Sequence, residues 1–265
     1  MKTQTMHLFK PLLFVIIAVA LFNCKGKQGD PGPTGAAGPS LSGTITGILS
    51  LTTSNGTPPS NLSGVIVTNN KGASDTTTAT GAWSLPEVTG IYTLTFTKAG
   101  YGTTKVYGSG FSGGGTSYLN TVALSQPPTF TVNFATPTAL DTLGGNSTAT
   151  KDLHISANLT IANAPTQDVE VFIYYSTNSG VDTANYMGLT AITVPAGQAT
   201  YTATITGAEL LAAQIESGEI VYMVAYPSAT TTTLSSKYVN ESTGKTVYTA
   251  LGAPSAPVVS MKVPQ

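Results

Sequence analysis

The 265-residue chain contains no arginine, one cysteine and two histidines, and charged residues make up 9% of it. Recognition of nucleic acid depends on clustered arginine and lysine, so this composition argues against a nucleic-acid partner. One cysteine excludes an internal disulfide, and so few cysteines and histidines exclude the usual zinc ligand sets. The D-x-[DN]-x-[DN]-G calcium loop is also missing. The sequence therefore predicts no metal site and no cofactor, and stability must come from buried cores.

The single cysteine, Cys24, lies at an abrupt change in composition. Before it, two lysines precede an apolar run over residues 12–22, which is short of the about 20 residues that span a bilayer. Such a run is typical of a secretory signal peptide. The sequence Leu21-Phe22-Asn23-Cys24 resembles the lipobox of bacterial lipoproteins, although Phe22 and Asn23 depart from its usual small residues.

The lipobox resemblance implies that residues 1–23 are a signal peptide and that the Cys24 thiol is acylated. It implies an outer membrane lipoprotein of the bacterial cell envelope, with relaxed boxes of this kind known in Bacteroidetes. The segment CKGKQGD has a single acid, Asp30, so the surface-exposed and periplasm-facing placements both stay open. The alternative is a buried core cysteine, which the Gly/Pro-rich flank disfavours. Removing residues 1–23 leaves nine lysines against twelve acids.

Residues 24–40 carry glycine at every third position, from Gly26 to Gly38. The triplets GKQ-GDP-GPT-GAA-GPS resemble a collagen-type repeat, in which only glycine fits at the axis of three chains. Five triplets are few for a trimer, and the alternative is an extended spacer. At about 3.1 Å per residue in polyproline II, fifteen residues reach roughly 45 Å. We expect the spacer to hold the following domains clear of a membrane.

Residues 41–126 read as short strands separated by Gly, Pro, Asn and Ser. In the segment IYTLTFTK, Tyr92, Leu94 and Phe96 fall on one face and three threonines on the other, which is typical of a half-buried strand. The segments GTITGIL, SGVIVTNN and GAWSLPEV are similar, and no helical period separates them. An all-β fold with an antiparallel sandwich is the economical solution.

This region also resembles a known family. GTITGIL, LSGVIVTNN and TTATGAWSLPEVTGIYTLTFTKAGYGTTKV are similar to the carboxypeptidase regulatory-like domain, with its G-x-[WY]-x-[LF] strand at residues 81–85 and its closing Gly100-Tyr101. The resemblance implies a prealbumin-type sandwich and a non-catalytic accessory module, because the peptidase chemistry of its namesakes belongs to a separate domain.

Residues 127–265 predict a second sandwich, immunoglobulin-like or fibronectin-like, with one short helix. The segment DLHISANLTI alternates from Leu153 to Ile161, whereas VEVFIYYS and EIVYMVAYP are apolar on both faces and predict central strands. Thr206 and Glu209 have the spacing of a capping box before ELLAAQIE, and Gly218 is placed to end that helix.

Two glycine motifs in YGSGFSGGGTSY fit enzyme signatures. Gly108, Gly110 and Gly113 satisfy G-x-G-x-x-G, and residues 110–114 satisfy G-x-S-x-G. The first works only at the start of a helix, and the second needs a strand-to-helix turn with a histidine nearby. We expect another strand to follow, and His154 is the single histidine after the signal peptide. The motifs are interpreted as a glycine loop between strands.

Acidic residues leave two alternatives open. Asp141, Asp152 and Asp182 could meet in a folded calcium site, although solvated loop charge is the simpler interpretation. Asp75-Thr76-Thr77 and the segments that begin at Asp141 and Asp182 also resemble the D-[ST]-hydrophobic sites that Bacteroidetes glycosylate.

Exposed aromatic rings in sandwiches commonly stack on sugars, and the candidates here are Trp83, Tyr101, Tyr107, Tyr118 and Tyr186. Trp83 lies at a position that packs inside in the resembled module. The sequence therefore predicts a lipid-anchored, non-enzymatic envelope protein that presents two β-sandwiches for structural or adhesive interaction. Its alternative is a glycan-binding accessory lipoprotein, and an enzyme would need paired acids in a cleft. The sequence does not identify ligand-binding residues or an oligomeric state.

Overall fold

The computed structural model describes residues 40–134, 138–141, 153–162, 166–231 and 234–263, and side chains of residues 138–141 and 153–159 lie outside that description. Residues 40–265 belong to one compact unit. The predicted signal peptide, Cys24 and the collagen-like spacer lie outside the described residues. The described chain is all-β with one short helix, as the sequence predicts.

Eight strands form the first sandwich. They are β1 (Ser42–Thr52), β2 (Ile66–Asn69), β3 (Ser74–Thr76), β4 (Ala82–Val88), β5 (Gly90–Thr97), β6 (Thr104–Phe111), β7 (Thr116–Tyr118) and β8 (Val122–Ser125). One sheet has the order β4-β1-β7, with β8 also paired to β1, and the other has the order β3-β2-β5-β6. The pairs are antiparallel except those of β1 with β7 and β8, which are parallel and were not predicted.

The alternation in β5 places its apolar face in the core of this sandwich. Tyr92, Leu94 and Phe96 are buried, whereas the threonines between them are partly exposed, which confirms the predicted strand. They pack with Trp83 and Leu85 of β4 and with apolar residues of β1 and β8. This core draws on residues between Ile45 and Leu124.

The second sandwich contains β9 (Thr131–Phe134), β10 (Thr138–Asp141), β11 (Leu153–Ala162), β12 (Val169–Ser176), β13 (Gly188–Val194), β14 (Thr200–Thr206), β15 (Ile220–Ser228) and β18 (Val259–Lys262). Its sheets have the orders β10-β11-β14, with β9 paired to β11, and β13-β12-β15-β18. A separate hairpin joins β16 (Lys237–Val239) to β17 (Thr246–Tyr248). In β11, Thr160 is exposed and Ile161 is buried as predicted, and the side chains of residues 153–159 lie outside the description.

The two strands predicted to be central do lie next to each other in the middle of their sheet. One face of β12 and β15 supplies Val171, Ile173 and Met223 to the core between the sheets. The other face supplies Phe172 and Tyr174 to a second cluster, which is partly covered by four further tyrosines. Strands β12 and β15 carry apolar residues on both faces because other residues pack against each face.

The predicted helix begins where the capping box places it. Helix α1 (Gly207–Ala212) has Thr206 as its N-cap, and both reciprocal hydrogen bonds with Glu209 are present. The prediction that Gly218 ends the helix is wrong. The Gln214 N–H donates to Leu211 O and the Ile215 N–H to Leu210 O, with Gln214 at a φ of 60°, which is a Schellman motif. Ile215 turns into the core, so the chain leaves the helix before Gly218.

Candidate functional site

A pair of buried serines joins the first sandwich to the segment before β16. The Ser125 N–H donates to Ser236 Oγ at 2.8 Å, and the Ser236 N–H donates to Ser125 Oγ at 3.2 Å. The two side chains are 1% and 0% exposed. Each serine satisfies the other's backbone group, so separating them would leave buried polar atoms without partners.

Two threonines extend this contact, which we call the seam. Thr104 Oγ1 donates to Ala123 O at 2.8 Å and accepts the Lys237 N–H at 3.2 Å. Thr249 Oγ1 donates to Thr103 O at 2.8 Å. Gly102 lies in this contact with no room for a side chain, since a Cβ there would lie 2.5 Å from Thr249 Oγ1 and 2.6 Å from Ser236 Cβ. The hairpin of β16 and β17 is thereby fixed beside the edge strand β6.

A cleft of about 340 Å³ opens beside the seam, which we call the seam cleft. Its apolar surface includes Val106 and Leu119, and its uncharged polar groups include Asn120 and Thr246. Lys105, Lys237 and Tyr238 also line it. Its volume is within the range of small-ligand sites, about 300–1,000 Å³, which often lie at domain interfaces.

Each lysine of the seam cleft lies close to a tyrosine ring, and one of these rings, that of Tyr238, lines the cleft. Lys105 Nζ lies 5.4 Å from the ring centroid of Tyr238, and Lys237 Nζ lies 5.9 Å from that of Tyr248. Such contacts hold a lysine chain across a ring. Burial raises the pKa of the nearby Tyr107 phenol, and the charge of Glu241 and the Tyr238 phenol raise it further. Glu241 is exposed and is not among the residues that line the cleft.

A second hollow continues the seam cleft along β1. It has a volume of about 350 Å³ and shares Leu119 and Thr121 with the cleft. Tyr118 and Ile48 line it and are 80% and 58% exposed. We call the two hollows together the groove; Tyr118 lines one of them and Tyr238 lines the other.

The predicted aromatic candidates separate into different environments. Trp83 is 2% exposed and packs against Phe96 at a centroid distance of 5.4 Å, so it is a core residue, as expected. Tyr101 and Tyr186 are half-buried and belong to hydrophobic clusters. Tyr107 is half-buried, and only Tyr118 of the five is strongly exposed. Tyr238 and Lys105 were missed, because nothing in the short segment KYVN or in β6 distinguishes them before the seam brings them together.

The glycine motifs span the end of β6 and the turn after it, so the expected glycine loop between strands is correct only for residues 112–115. Gly108 and Gly110 lie in β6, and residues 112–115 form the turn before β7, with Gly113 and Gly114 at positive φ. No helix follows within residues 40–134, so neither the dinucleotide fingerprint nor the nucleophile elbow has its required context. His154 lies in β11 of the second sandwich, and its side chain is outside the description.

Asp182 is the one acidic candidate whose side chain belongs to the described part of the chain. Asp182 accepts the backbone N–H groups of Ala184 and Asn185, both at 2.7 Å. Burial alone would raise the pKa of this carboxyl, but these hydrogen bonds outweigh it and hold the pKa below its usual value. Asp141 ends β10, and Asp152 lies outside the described residues. Among the residues described, no three potential metal ligands come together.

Two of the three candidate glycosylation threonines lie in the described chain and differ in exposure. Thr76 is exposed on the edge strand β3, and Thr183 is half-buried beside Asp182. Thr77 is buried and its hydroxyl donates to Leu62 O at 2.8 Å. Thr142 lies outside the described residues. Thr76 is thus the most accessible acceptor among those described.

Comparisons with known proteins give no family. No family model matches the chain, and no curated protein matches it. The carboxypeptidase regulatory-like resemblance therefore stays a prediction. In the part of the chain that the structure describes, no helix is long and apolar enough to cross a membrane.

Solved structures show only distant similarity. A "putative carbohydrate binding protein" from Bacteroides uniformis matches at 15% identity, over 83% of this chain and 99% of its own, with a TM-score of 0.29. A DUF3823 family protein from Parabacteroides merdae matches at 14% identity over 84% and 100%, with a TM-score of 0.27. A type II cohesin–X-dockerin complex from Acetivibrio cellulolyticus matches at 24% identity over 29%, and only 51% of that chain is spanned, with a TM-score of 0.25. TM-scores of this size give no evidence about function.

Proposed function

We propose that the protein is a lipid-anchored, non-enzymatic component of a bacterial cell envelope that presents two β-sandwiches as one binding body. The observation that carries the proposal is the buried contact between Ser125 and Ser236, which fixes the first sandwich to the segment that leads into the hairpin. The hairpin packs in turn on the second sandwich, where the Tyr248 ring lies 4.7 Å from that of Phe172. A rigid body with a cleft at its seam suits structural or adhesive binding, because little conformational freedom is lost when a partner docks.

The anchoring part of the proposal rests on the sequence around Cys24. The apolar run before it and the lipobox-like Leu21-Phe22-Asn23 support acylation of its thiol. In this arrangement the acyl chains hold the protein in the outer membrane, residues 25–40 set the distance, and the sandwiches meet a partner. The turn position of Ser112 supports a non-enzymatic role, since it lacks the strand-to-helix context of a nucleophile.

The anchoring is tested by expressing the full-length chain and its Cys24→Ala form in a bacterial host. We expect only the unsubstituted chain to enter the detergent phase and to carry acyl mass on an N-terminal Cys24. Lys27→Ala is the matched control, because it keeps the thiol and should partition like the unsubstituted chain. Soluble behaviour of both Cys24 forms, with cleavage elsewhere, would contradict the anchor. Protease treatment of intact cells then separates surface-exposed from periplasm-facing protein.

A second candidate function is glycan binding, which the exposed ring of Tyr118 beside the seam cleft favours. Tyrosine rings offer an apolar face for a sugar and a hydroxyl for hydrogen bonding. Asn120 and Thr121 are exposed next to it and supply further hydrogen-bonding groups. In this role the anchored body would hold a polysaccharide at the envelope.

A further inference from the structure

The lining of the seam cleft reverses the charge balance of the chain around it. Residues 40–265 contain seven lysines and eleven acids. The cleft is lined by Lys105 and Lys237 and by no aspartate or glutamate among the described residues. Lys105 offers an anion a positive charge in a lining that contains no carboxylate among the described residues.

The surface of the groove suits a ligand made of several rings. Its two hollows share Leu119 and Thr121, and a tyrosine lines each of them, Tyr118 in one and Tyr238 in the other. The seam cleft is also lined by uncharged hydrogen-bonding side chains, including Asn120. Sugar rings can pack on the tyrosines, and their hydroxyls can bond to the amide and hydroxyl groups.

We propose that this groove binds an acidic polysaccharide, with a uronate carboxylate paired to Lys105 and sugar rings packed on Tyr238 and Tyr118. The inference rests on the glycan-binding candidate function and adds the site and the ligand class. Lys105 is already held over the Tyr238 ring, so little side-chain freedom remains to be lost when a carboxylate binds. The charge of Glu241 raises the pKa of Tyr107, so this carboxylate would oppose an anionic ligand close to Tyr107. The charge of Glu170 raises the pKa of Tyr248, over which Lys237 lies.

The test uses the mature chain with Cys24→Ala, purified without detergent, and affinity electrophoresis in gels that contain polygalacturonate. Fully methyl-esterified polygalacturonate is the matched neutral probe. We expect retardation by the acid form, no retardation by the ester, and weaker binding as salt rises, because salt screens a partly exposed ion pair.

Four substitutions locate the site. Lys105→Gln should weaken binding about tenfold, the scale of one lost charged hydrogen bond. Tyr238→Ala should weaken binding by a similar factor, because it removes the ring on which a sugar packs. Tyr238→Phe should retain most of it, which separates loss of the ring from misfolding. Glu241→Gln should strengthen binding, since it removes the opposing charge. Lys71→Gln and Ile91→Ala, exposed elsewhere on the first sandwich, are the controls and should change nothing.

Each contrary outcome overturns the inference in a distinguishable way. Equal binding of the ester would place a neutral glycan in the groove and leave the glycan function standing. No binding of either form, nor of a panel of neutral polysaccharides, would remove both. Equal retardation by oligo(dT) would show unselective attraction of polyanions. A dimer in light scattering that Tyr118→Ala dissociates would make the groove a contact between copies of the chain.

Discussion

At the scale of single residues, Tyr174 carries a buried hydroxyl that has no hydrogen-bond partner among the described residues. The side chain is 0% exposed and lies edge-on to Tyr186 and Tyr226, with centroid distances of 5.0 and 5.4 Å. Burial first, and then the neighbouring tyrosines, raise the pKa of its phenol far above the usual range. The hydroxyl therefore costs desolvation free energy and makes no compensating hydrogen bond.

We expect Tyr174→Phe to leave the free energy of unfolding unchanged or to raise it by up to about 1 kcal/mol. Tyr92→Phe is the matched control, because Tyr92 is also buried but its hydroxyl donates to Val88 O at 2.6 Å. That substitution should lower the free energy of unfolding by about 1 kcal/mol. Urea titrations followed by tyrosine fluorescence compare the two, and a loss at Tyr174 as large as that at Tyr92 would reveal a hydrogen bond to its hydroxyl.

At the scale of elements, the turn that follows helix α1 contains a residue whose backbone conformation costs free energy of folding. Gln214 has a φ of 60°, where a residue with a Cβ loses about 1 kcal/mol relative to glycine. Its side chain is exposed, so little packing would be lost with it. We expect Gln214→Gly to raise the free energy of unfolding by about 0.5–1 kcal/mol, measured by thermal unfolding.

The control lies two residues earlier. Ala212→Gly places glycine inside the last helical turn, where it should destabilise by about 0.5–1 kcal/mol. Opposite signs at positions so close would show that the effect comes from the left-handed conformation. If both substitutions destabilise, the helix end has a different conformation in solution.

The start of this helix could be predicted from the sequence, whereas its end depends on contacts with distant parts of the chain. The capping box is local, since Thr206 and Glu209 need only each other, and it was predicted correctly. The helix end depends on Ile215 reaching a core formed by strands distant in sequence, so Gly218 was the wrong choice. The inner strands β12 and β15 were predicted correctly because a strand that is buried on both faces has apolar residues at successive positions. The groove was not, because Lys105 and Tyr238 are 133 positions apart and meet only through the seam.

At the scale of the whole molecule, the seam couples the unfolding of two hydrophobic cores that are formed by different residues. One core ends at Leu124 and the other begins at Phe130, and the serine and threonine contacts join structure around both. Hydrogen bonds that are buried on both sides make separation costly. We therefore expect the described body to unfold in a single calorimetric transition.

Gly102→Val tests this coupling, because even a Cβ at residue 102 would come within 2.9 Å of Ala250 Cβ and closer still to Ser236 and Thr249. Overpacking of this kind costs about 1–3 kcal/mol, and here it is relieved by moving the hairpin side away from the first sandwich. We expect the single transition to split into two, with lowered midpoints. Gly110→Val is the matched control in the same sandwich, since nothing lies within 4 Å of its added Cβ. If Gly102→Val instead melts in one transition with the midpoint of Gly110→Val, the contacts around residue 102 do not determine how the two sandwiches are coupled.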